Sequence, residues 1–125
     1  SASDGSLTFY PPENKENISH TAYKKENSEP IVVNAQKLST ILRNNNLDEI
    51  DLLKIDIEGF EFDVIDNIIE ENLKIKQLLI EFHHFFPEVG NEKTEMTLRK
   101  LASVNYKLYN VSDSFCEFAF IKTTI

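Results

Sequence analysis

The sequence has very little cysteine, glycine and basic charge, and each shortage excludes a class of protein. Its single cysteine, Cys116, rules out an internal disulfide framework and fits a reducing compartment, so we expect a cytoplasmic location. Its 13 Lys and Arg face 21 Asp and Glu, and the net charge of -8 disfavours electrostatic capture of nucleic acid or of an anionic membrane. No apolar run approaches the roughly 18 residues that a membrane-spanning helix needs, and no signal-like start is present.

Glycine is the most informative shortage, because the three glycines are Gly5, Gly59 and Gly90 and no two of them are close together. A glycine-rich loop lets the backbone approach a phosphate or a nucleotide closely. The spacing excludes such a loop. If the protein uses a nucleotide-like cofactor, the usual binding loop is not in this chain.

The 125 residues suffice for one domain, and 41% of them are apolar, which is enough for an ordinary core without disulfides. Residues 1–30 are thinly apolar. They predict a short strand at 7–10 and then a long polar loop, which contains His20 and is a candidate lid. Residues 31–125 carry the α/β core, so we treat residues 1–125 as a single domain.

The core alternates apolar runs of strand type with segments of helical spacing. The predicted elements are a strand at 31–33, a helix with Leu38, Ile41 and Leu42 on one face, strands at 50–57 and 77–83, helices at 60–72 and 92–104, and strands at 106–111 and 117–122. The 50–57 run is typical of a parallel strand covered on both faces. Met96, Leu98, Leu101 and Ala102 are expected to face inward. From residue 50 the order is β-α-β-α-β-β, which predicts an α/β, mostly parallel sheet with a terminal antiparallel hairpin.

Strand periodicity brings charged residues together. Lys54 and Asp56 share one face of the first core strand, and Glu81 and His83 share one face of the next. If the strands are parallel neighbours in register, Lys54 lies beside Glu81, and Asp56 lies beside His83. Because an unpaired buried charge costs several kcal/mol, we expect Lys54 and Glu81 to form a structural ion pair.

Asp56, Glu58 and His83 lie at the carboxyl ends of these strands, which is the edge where open α/β sheets bind ligands. Two carboxylates and an imidazole at this edge can deprotonate a hydroxyl or an amine, or hold a divalent metal. We assign all three as candidate catalytic residues and assign no metal ligand. Two simpler interpretations stay open: Glu58 as a helix cap ahead of Phe60, and His83 as a hydrogen-bonded histidine at a strand end.

The segment IDLLKIDIEGFE at 50–61 strongly resembles the central motif of FkbM-type methyltransferases. The segments VNAQKL at 33–38, LIEFH at 79–83 and EFAFI at 117–121 follow in the order of that family, so the resemblance extends over about residues 5–122. The resemblance implies a Rossmann-like class I methyltransferase fold. It also implies an S-adenosylmethionine-dependent enzyme, usually one that O-methylates a small molecule or a sugar.

The resemblance further implies that Asp56 and Gly59 lie at the cofactor. One of Asp56, Glu58 or His83 would accept the proton of the acceptor hydroxyl, whose oxygen then attacks the sulfonium methyl group. Enzymes of this family begin with a strand and a glycine-rich loop that hold the cofactor, and this chain starts after them. We therefore expect the carboxyl-terminal half of the domain, inactive alone, with an exposed sheet edge through which copies could pair.

Two interpretations from other classes stay open. The length, the acidity and Asp56 at a strand end superficially fit a receiver-like signalling domain. Against it, the amino terminus lacks the apolar strand and the acidic pair that would hold magnesium beside such an aspartate. The other interpretation is a non-catalytic α/β interaction module that pairs through its open edge.

Overall fold

The computed structural model describes residues 3–10, 29–85, 87 and 89–123. In chain order their helices and strands are β1 (Gly5–Phe9), β2 (Ile31–Ala35), α1 (Leu38–Asn44), β3 (Ile50–Ile55), α2 (Glu61–Glu70), β4 (Ile75–Glu81), α3 (Asn91–Ser103), β5 (Tyr106–Val111) and β6 (Glu117–Lys122). The predicted order of helices and strands is confirmed, and β5 and β6 have the predicted bounds. Most of the polar loop proposed as a lid, including His20, lies outside the described residues.

The strands form two sheets. β1 and β2 pair antiparallel, and the second sheet has the order β3-β4-β6-β5. β3 and β4 are parallel, whereas β6 lies between β4 and β5 and runs antiparallel to both. The α/β class and the terminal hairpin are confirmed. A mostly parallel sheet is not, because among the described strands only the β3–β4 pair is parallel.

The core occupies one face of the four-stranded sheet. Ile55 on β3 and Leu78 on β4 pack in the same buried cluster as Ile65 on α2 and Leu101 on α3. The described residues cover the opposite face much less, and Leu52 is 52% exposed there. The prediction that the 50–57 run is covered on both faces is therefore wrong, because the described helices pack on the side of Ile55.

The predicted inward face of α3 is confirmed for Leu98 and Leu101 and wrong for Met96 and Ala102. Thr94, Thr97 and Leu101 are buried, whereas Met96 is 61% exposed and Ala102 is exposed. The buried residues follow the helical spacing of three and four, which places them in one row on the core side. Burial of Thr97 is tolerated because its hydroxyl donates to the backbone carbonyl of Lys93 at 2.9 Å. Two small polar residues, rather than methionine and alanine, therefore line this part of the core.

An asparagine in the left-handed backbone region follows each described helix. Asn46, Asn72 and Asn105 have φ of 53°, 48° and 66°, a conformation that asparagine tolerates better than most other residues. After α2 the N–H of Leu73 reaches back to the carbonyl of Ile68 at 2.9 Å. This turn directs the chain into β4 and so sets where the carboxyl end of β4 lies.

Tyr106 anchors β5 to β4. Its side chain is buried, and its hydroxyl donates to the backbone carbonyl of Ile75 at 2.7 Å. The Lys122 ammonium lies 4.6 Å from the centre of the tyrosine ring, within the range of a cation–π contact. Burial raises the pKa of Tyr106 from 10.0 to about 12.

This pKa predicts a loss of stability in alkali. Between pH 10 and pH 12 the unfolded chain releases the Tyr106 proton and the folded chain retains it, so the free energy of unfolding falls by about 2–3 kcal/mol as the pH rises. Denaturation in urea at several pH values measures this fall. A Tyr106→Phe variant should lack it, whereas Tyr109→Phe, at an exposed site on the same strand, should keep it. An identical alkaline slope in wild type and Tyr106→Phe would contradict the prediction.

No helix in the described part of the chain combines the length and the apolar character that crossing a membrane requires.

Candidate functional site

The loop at residues 56–60 joins β3 to α2 and carries two residues in the left-handed backbone region. Glu58 has φ of 52°, and the buried Gly59 has φ of 102°. A φ of 102° is strained for any residue with a Cβ atom, so glycine is required there. The Glu61 carboxylate folds back from the first turn of α2 onto this loop. Its Oε1 accepts the N–H of Gly59 at 2.9 Å and the N–H of Ile57 at 3.3 Å.

Glu61 also holds His83, which follows the end of β4. Glu61 has no exposed surface, His83 is almost fully buried, and Oε1 of Glu61 lies 2.7 Å from Nδ1 of His83. Because Oε1 already accepts two backbone N–H groups, Nδ1 is assigned as the donor in this third contact. The other ring nitrogen, Nε2, lies 3.6 Å from Oε2 of Glu58. Glu58, His83 and Glu61 therefore form a continuous chain of contacts at the sheet edge.

The sequence analysis assigned no role to Glu61. One signal could have identified it. Glu61 stands four residues before Ile65 and seven before Ile68, so it belongs to the row of α2 that faces the core. An acidic residue in a buried row needs a partner, and the nearest chain segment with an imidazole is the end of β4.

The register of β3 against β4 differs from the predicted one. Lys54 aligns with Leu79 instead of Glu81, so continuing the same register places Asp56 beside Glu81 rather than His83. The Lys54 ammonium lies 3.1 Å from Oδ2 of Asp56, and its side chain is 65% exposed. The predicted structural ion pair between Lys54 and Glu81 is therefore wrong. Packing of the apolar side chains on the covered face sets the register of the two strands, and it outweighs charge pairing on the open face.

Asp56, Glu81 and His83 nevertheless converge. One ligand atom from each of the three residues lies within 4.8 Å of the other two. Burial raises the pKa of Glu81, the Asp56 carboxylate raises it further, and His83 and Lys54 act in the opposite direction. The three side chains therefore form a partly buried cluster with an excess of negative charge.

Among the described residues, cavities lie on two sides of this part of the molecule. One of about 250 Å³ is lined by Lys54, Leu79, Ile80, Glu81, Asn110, Glu117, Phe118 and Ala119. It shares Lys54 and Glu81 with the charged residues at the sheet edge. The second, of about 220 Å³, is lined by Leu7, Phe9, Val33, Asn34, Ala35, Gln36, Ile57 and Phe60. The 56–60 loop therefore borders a mostly apolar cavity next to β1 and β2. Asp56, the first residue of the loop, belongs to the charged cluster.

The structure brings the predicted candidates Asp56, Glu58 and His83 to one place, at the carboxyl ends of β3 and β4. The interpretation of Glu58 as a helix cap is wrong, because α2 begins without a side-chain cap hydrogen bond and Glu58 contacts His83 instead. The N–H of Gly59 is bound by Glu61, so Gly59 shapes the loop. Whether any of these residues touches a cofactor or a substrate stays a prediction.

The fold is α/β, and the candidate residues lie at the carboxyl ends of its two parallel strands, the edge where open α/β sheets bind ligands. The chain matches the family model of the methyltransferase FkbM domain over residues 1–108, so it belongs to the FkbM methyltransferase family. The match ends within β5, so β6 lies outside it, although the resemblance seen in the sequence extends to about residue 122. No curated protein and no solved structure matches the chain.

Proposed function

We propose that the chain belongs to an S-adenosylmethionine-dependent enzyme that methylates a hydroxyl group of a small molecule or a sugar. The family supports methyl transfer. The catalytic role that we propose is supported by the chain of contacts from Glu61 through His83 to Glu58, which lies at the edge where α/β sheets bind ligands. A carboxylate held in this way beside an imidazole is suited to accept a proton from a bound hydroxyl.

We assign the proton acceptor to Glu58 rather than to His83. A general base must come within hydrogen-bond reach of the proton that it removes. The Glu58 side chain is 26% exposed, whereas that of His83 is 4% exposed. His83 therefore acts as a positioning residue, fixed by Glu61. Asp56 is more exposed than either, but its carboxylate already binds the Lys54 ammonium.

S-adenosylmethionine, when bound, supplies a methyl group on a positively charged sulfur. Glu58 removes the proton of the acceptor hydroxyl as the new oxygen–carbon bond forms and the sulfur–carbon bond breaks, which gives the methyl ether and S-adenosylhomocysteine. Most of the acceleration comes from alignment of the two reactants, since this transfer needs no covalent intermediate with the protein. The half-exposed Asp56 carboxylate suits a hydrogen bond to the cofactor, and Gly59 contributes through the shape of the loop.

The scarcity of glycine limits how tightly this chain holds the cofactor. With three widely separated glycines it offers no loop of the usual kind for the cofactor, and we propose that it corresponds to the carboxyl-terminal half of the methyltransferase domain and has little activity alone. Copies could pair through β3, which lies at the end of the four-stranded sheet as described. The acidic charge and the single cysteine support a cytoplasmic enzyme that does not bind nucleic acid.

The test is calorimetric titration with S-adenosylhomocysteine, for this chain and for the same chain extended at its amino terminus. We expect the extended chain to bind at least tenfold more tightly. Equal, tight binding by both forms would contradict the half-domain proposal and leave the methyltransferase proposal intact. Absence of binding by both forms would overturn the cofactor assignment and favour a non-catalytic interaction module.

A further inference from the structure

The cluster at the carboxyl ends of β3 and β4 has the dimensions of a metal site. One atom each of Asp56, Glu81 and His83 lies within 4.8 Å of the other two. Two ligands that bind one ion at roughly 2.0–2.4 Å can be at most about 4.8 Å apart, so each pair of these three atoms meets the spacing that a shared ion requires. They come from the end of β4 and from positions one or two residues beyond β3 and β4, so the pairing of these two strands keeps their backbones close together.

His83 is oriented as a metal-binding histidine is. Such histidines donate their second ring N–H to a carboxylate or a carbonyl, which fixes the tautomer and the direction of the ring. Here Nδ1 lies 2.7 Å from Oε1 of Glu61, which is completely buried. With Nδ1 as the donor, Nε2 is the nitrogen that is left to bind a metal, and it lies 3.6 Å from Oε2 of Glu58. A ring nitrogen and several carboxylate oxygens thus point at one region.

The charges at this edge favour a cation. Three carboxylates lie around His83, those of Asp56, Glu58 and Glu81. The Lys54 ammonium forms its ion pair with Asp56. Carboxylates that lie this close together repel one another. A divalent ion would offset this repulsion more effectively than the exposed Lys54 ammonium, which can move away into solvent.

We propose that Asp56, Glu81 and His83 bind one divalent cation, through two carboxylate oxygens and one imidazole nitrogen. An oxygen-rich ligand set with a single imidazole suits Mn²⁺ or Mg²⁺ better than the softer metals. The remaining coordination positions are open to water or to an oxygen atom of a ligand in the adjoining cavity of about 250 Å³, which Glu81 also lines. The proposal does not depend on methyl transfer, because metal binding is measured without cofactor or acceptor.

The test is a titration of the full chain with Mn²⁺, in which electron paramagnetic resonance reports the unbound ion. We expect one Mn²⁺ per chain. Asp56→Asn and Glu81→Gln should each lower the affinity at least tenfold, and both sites are open enough to solvent for the variants to fold. Glu49→Gln is the matched control, since Glu49 is an exposed acid paired with Lys76 away from the cluster, and it should leave the affinity unchanged.

Lys54→Gln supplies an independent readout. Removal of the ammonium that competes for Asp56 should raise the Mn²⁺ affinity severalfold, whereas a site elsewhere on the molecule would not respond. Absence of stoichiometric binding, or equal affinity in wild type, Asp56→Asn and Glu81→Gln, would overturn the proposal. Loss of cofactor binding in the earlier titration with retained Mn²⁺ binding would contradict the proposed function and leave the metal site standing.

Discussion

Replacement of Glu61 by alanine is expected to lower the free energy of unfolding by about 3–5 kcal/mol, because each buried donor left without an acceptor costs about 1–3 kcal/mol. The substitution takes three contacts away at once. His83 keeps its buried position but loses the carboxylate at 2.7 Å, and the N–H groups of Gly59 and Ile57 lose their acceptor. In the wild type the Glu61 carboxylate also holds the strained turn in place, because Glu58 and Gly59 in this turn have left-handed backbone angles.

The measurement is urea denaturation of wild type, Glu61→Ala and two comparison variants. Asp63→Ala removes an acid from the same first turn but no contact with His83, and it should cost less than about 1 kcal/mol. Glu61→Gln retains a carbonyl oxygen that can accept the three hydrogen bonds, so it should fall between the two. If Glu61→Ala and Asp63→Ala lose the same stability, Glu61 does not organise the loop.

The positions of the helices and strands could be predicted because the apolar spacing of this chain is regular. β5 and β6 are short strands on either side of a tight turn, and the pattern fixes their bounds. The pattern could not show which face of β3 is covered. Leu52 and Ile55 are both aliphatic, and only the placement of the helices makes one exposed and the other buried.

The register of the two strands could not be predicted from the sequence, for a related reason. Two apolar strands can be shifted against each other by two residues without turning any side chain to the other face. The alignment of Lys54 with Leu79 is set by packing on the covered face, which the sequence alone does not resolve. The meeting of Asp56 and His83 at one edge was nevertheless predictable, because it depends on strand ends and tolerates a small shift.

Glu58→Gln is expected to lower kcat by about 100-fold or more, the usual contribution of a positioned general base. The amide has the size of the carboxylate but cannot accept the proton of the acceptor hydroxyl. Because the side chain is partly exposed and its contact with His83 is long at 3.6 Å, the fold and KM should change little. The rate is measured with S-adenosylmethionine and a panel of sugars and small hydroxyl compounds, in whichever form of the protein binds S-adenosylhomocysteine.

The pattern across variants identifies the base. Glu49→Gln, at an exposed acid remote from the site, should retain wild-type turnover, and Glu58→Asp should recover part of the loss because it restores a carboxylate with shorter reach. The limb of the pH–rate profile that reports protonation of the base should disappear in Glu58→Gln. Full turnover in Glu58→Gln together with its loss in Asp56→Asn would move the proton acceptor to Asp56. In that case the contacts of His83 with Glu58 and Glu61 would serve to hold the loop, and the proton would be accepted two residues earlier in the chain, at the carboxylate that Lys54 binds.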